Sequence, residues 1–279
     1  MDNERSILIT GCSSGIGYHA AGYLRDRGWR VLATCRKPED VARLTAEGFE
    51  SFPLDLADDT SVRDGAAEAL LRTDGRLFAL FNNGAFAVPG AAEDLPRDAL
   101  RLIYETNLFG QIDLTNRILP AMHKAGRGRI INNSSILGLV SLRYRAAYVS
   151  TKFAMEGITD SYRLENRTPD VHHILIEPGP VTSMIRQKSQ PHFERFITPD
   201  TSVNRDVYDT IVKPRLYAPA GKPDRFELPP EAVSAKLFDA LTRKTPRRRY
   251  FVTTPTYIAN IMRRVLPTTA LDWIARRIG

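Results

Sequence analysis

Tyr148 and Lys152 stand four residues apart in the run Tyr148-Val-Ser-Thr-Lys152, a spacing that puts both side chains on one face of a helix. A free phenol has a pKa of about 10 and exchanges its proton poorly at neutral pH. An ammonium one helical turn away favours the phenolate and lowers that pKa, which makes a tyrosine usable as a general acid and base. Thirteen residues before the tyrosine, Ser135 closes Asn133-Ser-Ser135 after a strand-like run. Its hydroxyl can donate to a carbonyl oxygen. Proton transfer at an oxygen, beside a group that polarises a carbonyl, is the chemistry this trio offers.

A second set binds. The turn Thr10-Gly-Cys-Ser-Ser-Gly-Ile-Gly17 follows the first apolar run. Without Cβ atoms, Gly11, Gly15 and Gly17 let the backbone approach a pyrophosphate, and the helix that follows offers its N-terminus to the negative charge. Between a first strand and a first helix, such a turn points to a dinucleotide. The end of the second strand selects which one: an acid there binds a ribose 2′-hydroxyl, whereas a cation nearby accommodates a 2′-phosphate. That slot holds Cys35, followed by Arg36 and Lys37. NADP(H) is therefore favoured over NAD(H), with Arg36 on the phosphate and Ser13 adding a hydroxyl. The competing reading leaves Arg36 and Lys37 in a solvated loop.

Both sets need a scaffold. Short apolar runs at 6–10, 29–34, 50–54, 77–81, 129–133 and 172–176 alternate with helical patterns at 15–27, 38–47, 60–72, 97–124 and 147–167. Alternating β and α units imply an α/β fold, a parallel sheet with helices on both faces, and right-handed crossovers make it doubly wound. Residues 178–230 break the pattern: they are proline-rich, with scattered Phe193, Phe196, Tyr208, Tyr217 and Phe226, and read as an irregular segment of the functional or mobile kind. A helix resumes at 231–241, and 249–252 supplies a last strand. Residues 257–266 and 271–278 read as two short amphipathic helices separated by Pro267.

Composition removes other classes. The 279 residues are 43% hydrophobic and 25% charged, as in an ordinary globular domain. The net charge of +7 is uneven: residues 241–279 hold nine Lys/Arg against one acid, so the other 240 sum to −1. A nucleic-acid footprint over the whole protein is not expected, because the body carries no surplus positive charge for phosphates. No apolar run reaches the roughly 20 residues of a membrane-spanning helix. The acidic start, Met1-Asp2-Asn3-Glu4, leads into a strand, so no signal peptide is expected. Two cysteines, Cys12 and Cys35, fit a reducing cytoplasm and, with no base near in sequence, read as packed thiols. No metal is expected: His172-His173 is adjacent and points to opposite faces of a strand. His123 reads as a helix-dipole partner.

Together these residues resemble the short-chain dehydrogenase/reductase family. The matching pieces are the turn at 10–17, Leu54-Asp55-Leu56, Asn82-Asn83-Gly84-Ala85, Asn107 in Thr106-Asn-Leu-Phe-Gly110, Asn133-Ser-Ser135, Tyr148 to Lys152 and Pro178-Gly-Pro-Val181. They follow family order and spacing over residues 5–185. The phrases Cys35-Arg-Lys-Pro38 and Arg264-Val-Leu-Pro267 are similar to the hydroxysteroid and retinol dehydrogenase-like branch and to bacterial NADP-dependent aldehyde reductases.

The resemblance implies a Rossmann fold with a seven-stranded parallel sheet. Residues 1–254 would form one domain with a variable substrate lid at about 183–230, and 255–279 a basic amphipathic helical extension. Tyr148 would be the acid/base, Lys152 its pKa-lowering partner and ribose ligand, Ser135 the carbonyl-orienting group and Asn107 the holder of a relay water. Gly11, Ser13, Ser14, Gly15, Ile16, Gly17 and Arg36 would hold the cofactor phosphates, Asp55 and Leu56 the adenine, and Asn83 the adenosine ribose. Pro178, Val181 and Ser183 complete the cofactor set, Val181 near the nicotinamide amide. Two positions depart from the pattern. Gly84-Ala85 reverses the usual Ala-Gly, moving a glycine's freedom one residue earlier, and Ser183 replaces the usual Thr beside Thr182.

The activity implied is NADP(H)-dependent hydride transfer on a hydrophobic aldehyde, ketone, steroid or retinoid-like compound. The enzyme would be cytoplasmic, and a homodimer or homotetramer through the 97–124 helix and the tyrosine-bearing helix. The alternatives are a catalytically silent NADP-binding redox sensor and, through the tail alone, a nucleic-acid binder. The basic tail either lies on an anionic membrane or packs on the body with its arginines in solvent, and packing is the expectation.

Overall fold

The computed structural model describes residues 5–219 and 224–278. The acidic start at 1–4, positions 220–223 of the proline-rich segment and residue 279 lie outside the described residues. Seven strands, β1 (Ser6–Ile9), β2 (Arg30–Cys35), β3 (Glu50–Pro53), β4 (Ala79–Asn82), β5 (Gly128–Asn133), β6 (Val171–Glu177) and β7 (Arg249–Phe251), form one sheet in the order β3-β2-β1-β4-β5-β6-β7. Every pair is parallel, with Leu8 of β1 opposite Leu32 on one side and Leu80 on the other. The sheet is the seven-stranded, doubly wound Rossmann arrangement that the alternation and the resemblance imply.

Strand periodicity sends alternate residues to opposite faces, and helices cover both. Ile7 and Ile9 pack with Ala20, Ala21 and Leu24 of α1 (Gly15–Arg25), Leu44 of α2 (Pro38–Ala46) and Val233 and Leu237 of α10 (Glu231–Thr242). Leu8 faces the other way, with Val62 and Ala66 of α3 (Asp59–Arg72) and Leu114 and Ile118 of α5 (Gly110–Ala125). Local chemistry sets the helix ends. Asp58 accepts hydrogen bonds from the Thr60 and Ser61 amides at the start of α3, an N-cap. Gly126, at φ 72°, ends α5 in the left-handed conformation that glycine favours.

The structure corrects two element readings. The 97–124 run is two helices, α4 (Arg97–Tyr104) and α5, joined by a π turn at Glu105–Phe109. A π turn takes in one extra residue and re-phases the helix after it. Here that turn buries Asn107, and α5 opens on Gly110, where a Cβ would stand 1.9 Å from the Leu56 carbonyl oxygen. The 178–230 segment is largely helical where it is described. It contains α7 (Ile185–Phe196), a 3-10 turn at Pro199–Thr201, α8 (Arg205–Val207), a second π turn at Tyr208–Val212 and α9 (Lys213–Leu216). Phe193, Ile197, Tyr208, Val212 and Leu216 build a small core of their own against Ala91.

The catalytic-type pair lies on α6 (Ala146–Glu165). The chain closes with α11 (Thr254–Val265) and α12 (Thr268–Ile278), two helices on either side of Pro267 as the pattern predicts. Among the described residues no helix is long and apolar enough to cross a membrane.

Candidate active site

The sheet brings the chemistry-bearing residues to one edge. The turn at 10–17 follows β1, Arg36 follows β2, Asn83 follows β4, Ser135 lies just past β5 and Pro178 just past β6. All five are carboxyl ends. The strand order reverses between β1 and β4, and in open parallel sheets that switch point opens the ligand crevice.

Backbone geometry explains the glycines of the turn. Gly11 and Gly15 have φ of 74° and 60°, in the region that side chains resist. A Cβ on Gly17 would lie 2.5 Å from the Gly11 carbonyl oxygen and 2.6 Å from Asn83 Nδ2. Ser14 takes the N-cap position of α1 but makes no side-chain cap bond, so the first amides of α1 stay open to an outside acceptor. Thr10 Oγ1 accepts from the amides of Asn83 and Gly84, each at 2.9 Å, and Asn83 Nδ2 donates to the Thr10 carbonyl at 2.9 Å. These bonds tie the β4 loop to the glycine turn. The reversed Gly84-Ala85 pair has a packing reason and not a conformational one. Gly84 has no positive φ, yet a Cβ on Gly11 would stand 2.7 Å from its Cα, and its own would stand 2.9 Å from Leu56 Cδ1.

Cations gather beside the turn. Arg36 is exposed at the end of β2. Lys188 of α7 donates to Ser13 Oγ at 2.9 Å, and Arg43 of α2 donates to the Ser13 carbonyl at 2.8 Å. Burial pulls the Lys188 pKa below the ordinary lysine range while Asp40 opposes it; Arg36, near enough to act on it, pulls it down further. Sequence reasoning named Ser13 and Arg36 as candidates and did not name Lys188 and Arg43, which the structure places beside Ser13. Lys188 sits in the segment with no readable pattern, 175 positions from its partner.

The tyrosine site is assembled around Asn133. Lys152, almost fully buried, donates from Nζ to the Asn133 carbonyl at 2.7 Å, and Asn133 Nδ2 donates to Asn83 Oδ1 at 2.9 Å. Lys152 Nζ stands 5.4 Å from the Tyr148 ring centroid. Burial pulls the lysine down to about 8, against the pull of Glu156 one turn further along α6. Burial pushes the Tyr148 phenol up to about 12, while a hydrogen bond with the Ser135 side chain draws it down. The lowering by Lys152 expected from the spacing does not appear here: burial raises the phenol, and Ser135 is the group that opposes it. Ser135 Oγ also accepts from the Leu137 amide at 3.1 Å, which fixes the hydroxyl at the head of a short 3-10 turn.

Asn107 is fully buried, and its side chain pairs with the backbone of Phe86, accepting from the amide at 3.1 Å and donating to the carbonyl at 2.9 Å. It also donates to Thr151 Oγ1 at 3.3 Å. Its amide thus locks the β4 loop onto α6. Phe86, Val88 and Ala147 form an apolar cluster on which Tyr148 and Phe196 pack, and His192 of α7 stacks on Phe86 at 4.1 Å.

The other expected contacts divide. Ile16 packs on the core. Asp55 Oδ1 accepts from the Ala57 amide at 3.0 Å. Leu56 is 6% exposed and its side chain belongs to the core beneath α3 and α5. Val181 forms a bridge with Leu228. Thr182 is turned away, donating to Glu227 Oε1 at 2.6 Å, whereas a Cβ on Gly15 would lie 3.4 Å from that of Ser183. Ser183 is the hydroxyl that borders the turn. Cys12 and Cys35 are free, buried thiols, with Cys12 held far above the ordinary thiol range by burial. His173 is buried and stacks on Tyr162 at 5.2 Å, and no metal-holding cluster exists among the described residues.

Behind the site, Arg249 of β7 donates to Glu177 Oε1 at 2.6 Å, to Asp160 Oδ2 at 2.8 Å and to Glu156 Oε2. Glu177 is fully buried, and burial together with Glu156 pushes its carboxyl well above the usual range.

Comparison with known proteins adds to this geometry. The sequence profile described as short chain dehydrogenase matches residues 5–193. The chain is 38% identical over 272 residues to the uncharacterized oxidoreductase YbbO of Escherichia coli, covering 97% of this chain and 94% of that one. It is 31% identical to human 17-beta-hydroxysteroid dehydrogenase type 1, covering 88% and 77%. Among solved structures it shares its fold with a serine dehydrogenase complexed with NADP+, at TM-score 0.73 and 20% identity over 90% of this chain and 95% of that one. A short chain dehydrogenase/reductase from Burkholderia phymatum in complex with NAD gives TM-score 0.75 and 21% identity over 92% and 91%.

Proposed function

This chain belongs to the short chain dehydrogenase family, and from that premise we propose that it is an NADP(H)-dependent carbonyl reductase for hydrophobic aldehydes or ketones. At the level of its family it is an oxidoreductase acting on CH–OH and C=O groups. The observation that carries the proposal is the meeting of Ser135, Tyr148 and Lys152 with the glycine turn at a single carboxyl edge.

The residues fit a dinucleotide. Gly11, Gly15 and Gly17 leave a cradle that a Cβ would fill, and the amides of α1 beside Ser14 and Ile16 face it. Ser13, Arg36 and Lys188 supply a hydroxyl and two cations for a 2′-phosphate, which supports NADP(H) over NAD(H). Asp55, the Leu56 backbone and Asn83 would border the adenosine, and Pro178, Val181 and Ser183 the nicotinamide end. Bound NADPH supplies the hydride. Tyr148, held protonated at neutral pH, gives its proton to the carbonyl oxygen while the Ser135 hydroxyl orients that oxygen. Lys152 would hold the cofactor ribose, and a relay water seated at the π turn of Asn107 would bring a proton from solvent through Lys152 to restore Tyr148. Phe86, Val88 and Phe196 give an apolar wall beside the tyrosine, and the helices of residues 183–230 act as a lid that keeps water out. The cytoplasm, with its reduced thiols, suits two free cysteines.

The test is an assay of NADPH consumption over a panel of medium-chain and aromatic aldehydes. Turnover is expected, and Tyr148→Phe should lower it by about 100-fold or more with NADPH still bound. No turnover across a broad carbonyl panel overturns the reading, and tight NADPH binding without turnover would put the silent redox sensor in its place.

A further inference from the structure

The last two helices leave apolar side chains in solvent next to unpaired positive charge. α11 buries only Thr256 and Ala259, and α12 has no buried residue. Packing against the body, expected from the sequence, is thus slight. On α11, Tyr257, Ile261 and Val265 succeed one another at four-residue steps, 45%, 60% and 69% exposed, with Ile258 beside them at 50%. That spacing keeps them in one stripe. Trp273 and Ile278 of α12 are 58% and 68% exposed. Exposed apolar residues scattered singly need no explanation, whereas a group of this kind marks a surface that something covers.

Charge identifies the cover. Arg263, Arg264, Arg276 and Arg277 share the two helices with a single acid, Asp272. None of the four has a carboxylate partner among the described residues. Arginines of other helices are paired along the chain, as Arg43 is with Glu47, Arg117 with Asp113 and Arg243 with Asp239. The Arg263 guanidinium lies over the Phe153 ring at 5.5 Å, and that of Arg277 lies over the Trp273 ring at 3.6 Å and donates to the Trp273 carbonyl at 3.3 Å; these contacts leave the positive charges unneutralised. A second copy seated here across a two-fold axis would set this basic face against an identical basic face, a like-charge contact that opposes docking. An anionic bilayer matches both features, taking the apolar side chains at the acyl boundary and the guanidinium groups at its phosphates.

We propose that α11 and α12 dock the protein on an anionic lipid bilayer, with Tyr257, Ile261, Val265 and Trp273 entering the interface and the arginines holding headgroup phosphates. The docking stands apart from the reaction proposed above and does not depend on it.

The full chain is sedimented with phosphatidylcholine vesicles made with or without phosphatidylglycerol, at low and high salt, while tryptophan emission is followed. Trp29 is 6% exposed, so a change in emission reports Trp273. Co-sedimentation with the anionic vesicles alone, a blue shift, and release at high salt are expected. The pairs Ile261→Glu with Val265→Glu, and Arg264→Glu with Arg276→Glu, should each weaken binding by on the order of tenfold or more while keeping the wild-type Tm. Failure to bind anionic vesicles overturns the proposal, as does undiminished binding by both variant pairs. Dissociation of a dimer by the first pair, with vesicle binding intact, would assign the stripe to a second copy.

Discussion

At the scale of single residues, the site holds charge that the fold resists. Lys152 is pulled by burial to about 8. Between that value and the ordinary lysine value, the unfolded chain holds the extra proton, so stability rises as pH climbs through the window. Below it the buried ammonium costs about 3 kcal/mol, by the size of the displacement. Lys152→Met should therefore raise Tm at neutral pH and lose that advantage in alkali, while turnover falls; an equal gain at both pH values would rule out charge burial as the cause. The cations beside Ser13 make a second prediction. Arg36→Asp with Lys188→Ala should lower the NADPH-to-NADH ratio of kcat/KM by about 100-fold, two charge-assisted phosphate contacts being lost. An unchanged ratio would send the 2′-phosphate elsewhere. Tyr148, Lys152, Ser135 and Arg36 were legible as candidates because their types and local spacing point to the chemistry. Lys188 was not, since nothing near it in sequence indicates that it reaches Ser13.

At the scale of elements, the outcome divides by how locally each piece is determined. The strands are readable as buried apolar runs, and α1 to α3 as amphipathic patterns between them. The π turn at Glu105–Phe109 left no such mark, because periodicity within the run continues on both sides and only the approach of Gly110 to the Leu56 carbonyl demands the extra residue. The helices after β6 were hidden by Pro191, Pro199 and Pro214, yet Tyr208, Val212 and Leu216 keep a four-residue step that signals helix. Two predictions belong here. Gly17→Ala puts a Cβ into the Gly11 carbonyl and Asn83, and should weaken NADPH binding by about tenfold or more, given the overpacking cost of ~1–3 kcal/mol, measurable by quenching of protein fluorescence. Arg249→Met strands Glu156 and Glu177 of α6 and β6 as buried carboxyls, and should cost about 3–5 kcal/mol in urea unfolding. The loss should deepen as the pH rises, because Glu177, raised by burial, then ionises without its cation.

At the scale of the whole molecule, the positive charge is a property of the tail, and the body offers apolar surface on its outer helices instead. Phe109 and Leu164 are 49% and 81% exposed, on or beside α5 and α6, where the family resemblance puts the subunit contact. The protein should sediment as a dimer or tetramer, and Leu164→Glu should shift it toward monomer; a wild-type monomer at assay concentration would refute the contact. One bond described above reaches further than its length. Lys188 joins α7 to Ser13 in the turn that would cradle the dinucleotide. On the proposed reaction, that clasp between α7 and the turn would have to open before spent coenzyme could leave. The enzyme would then load its coenzyme before its carbonyl compound and wait longest on the exit of the oxidised coenzyme, and a rapid-mixing experiment would record a burst of first-turnover product ahead of a slower steady rate.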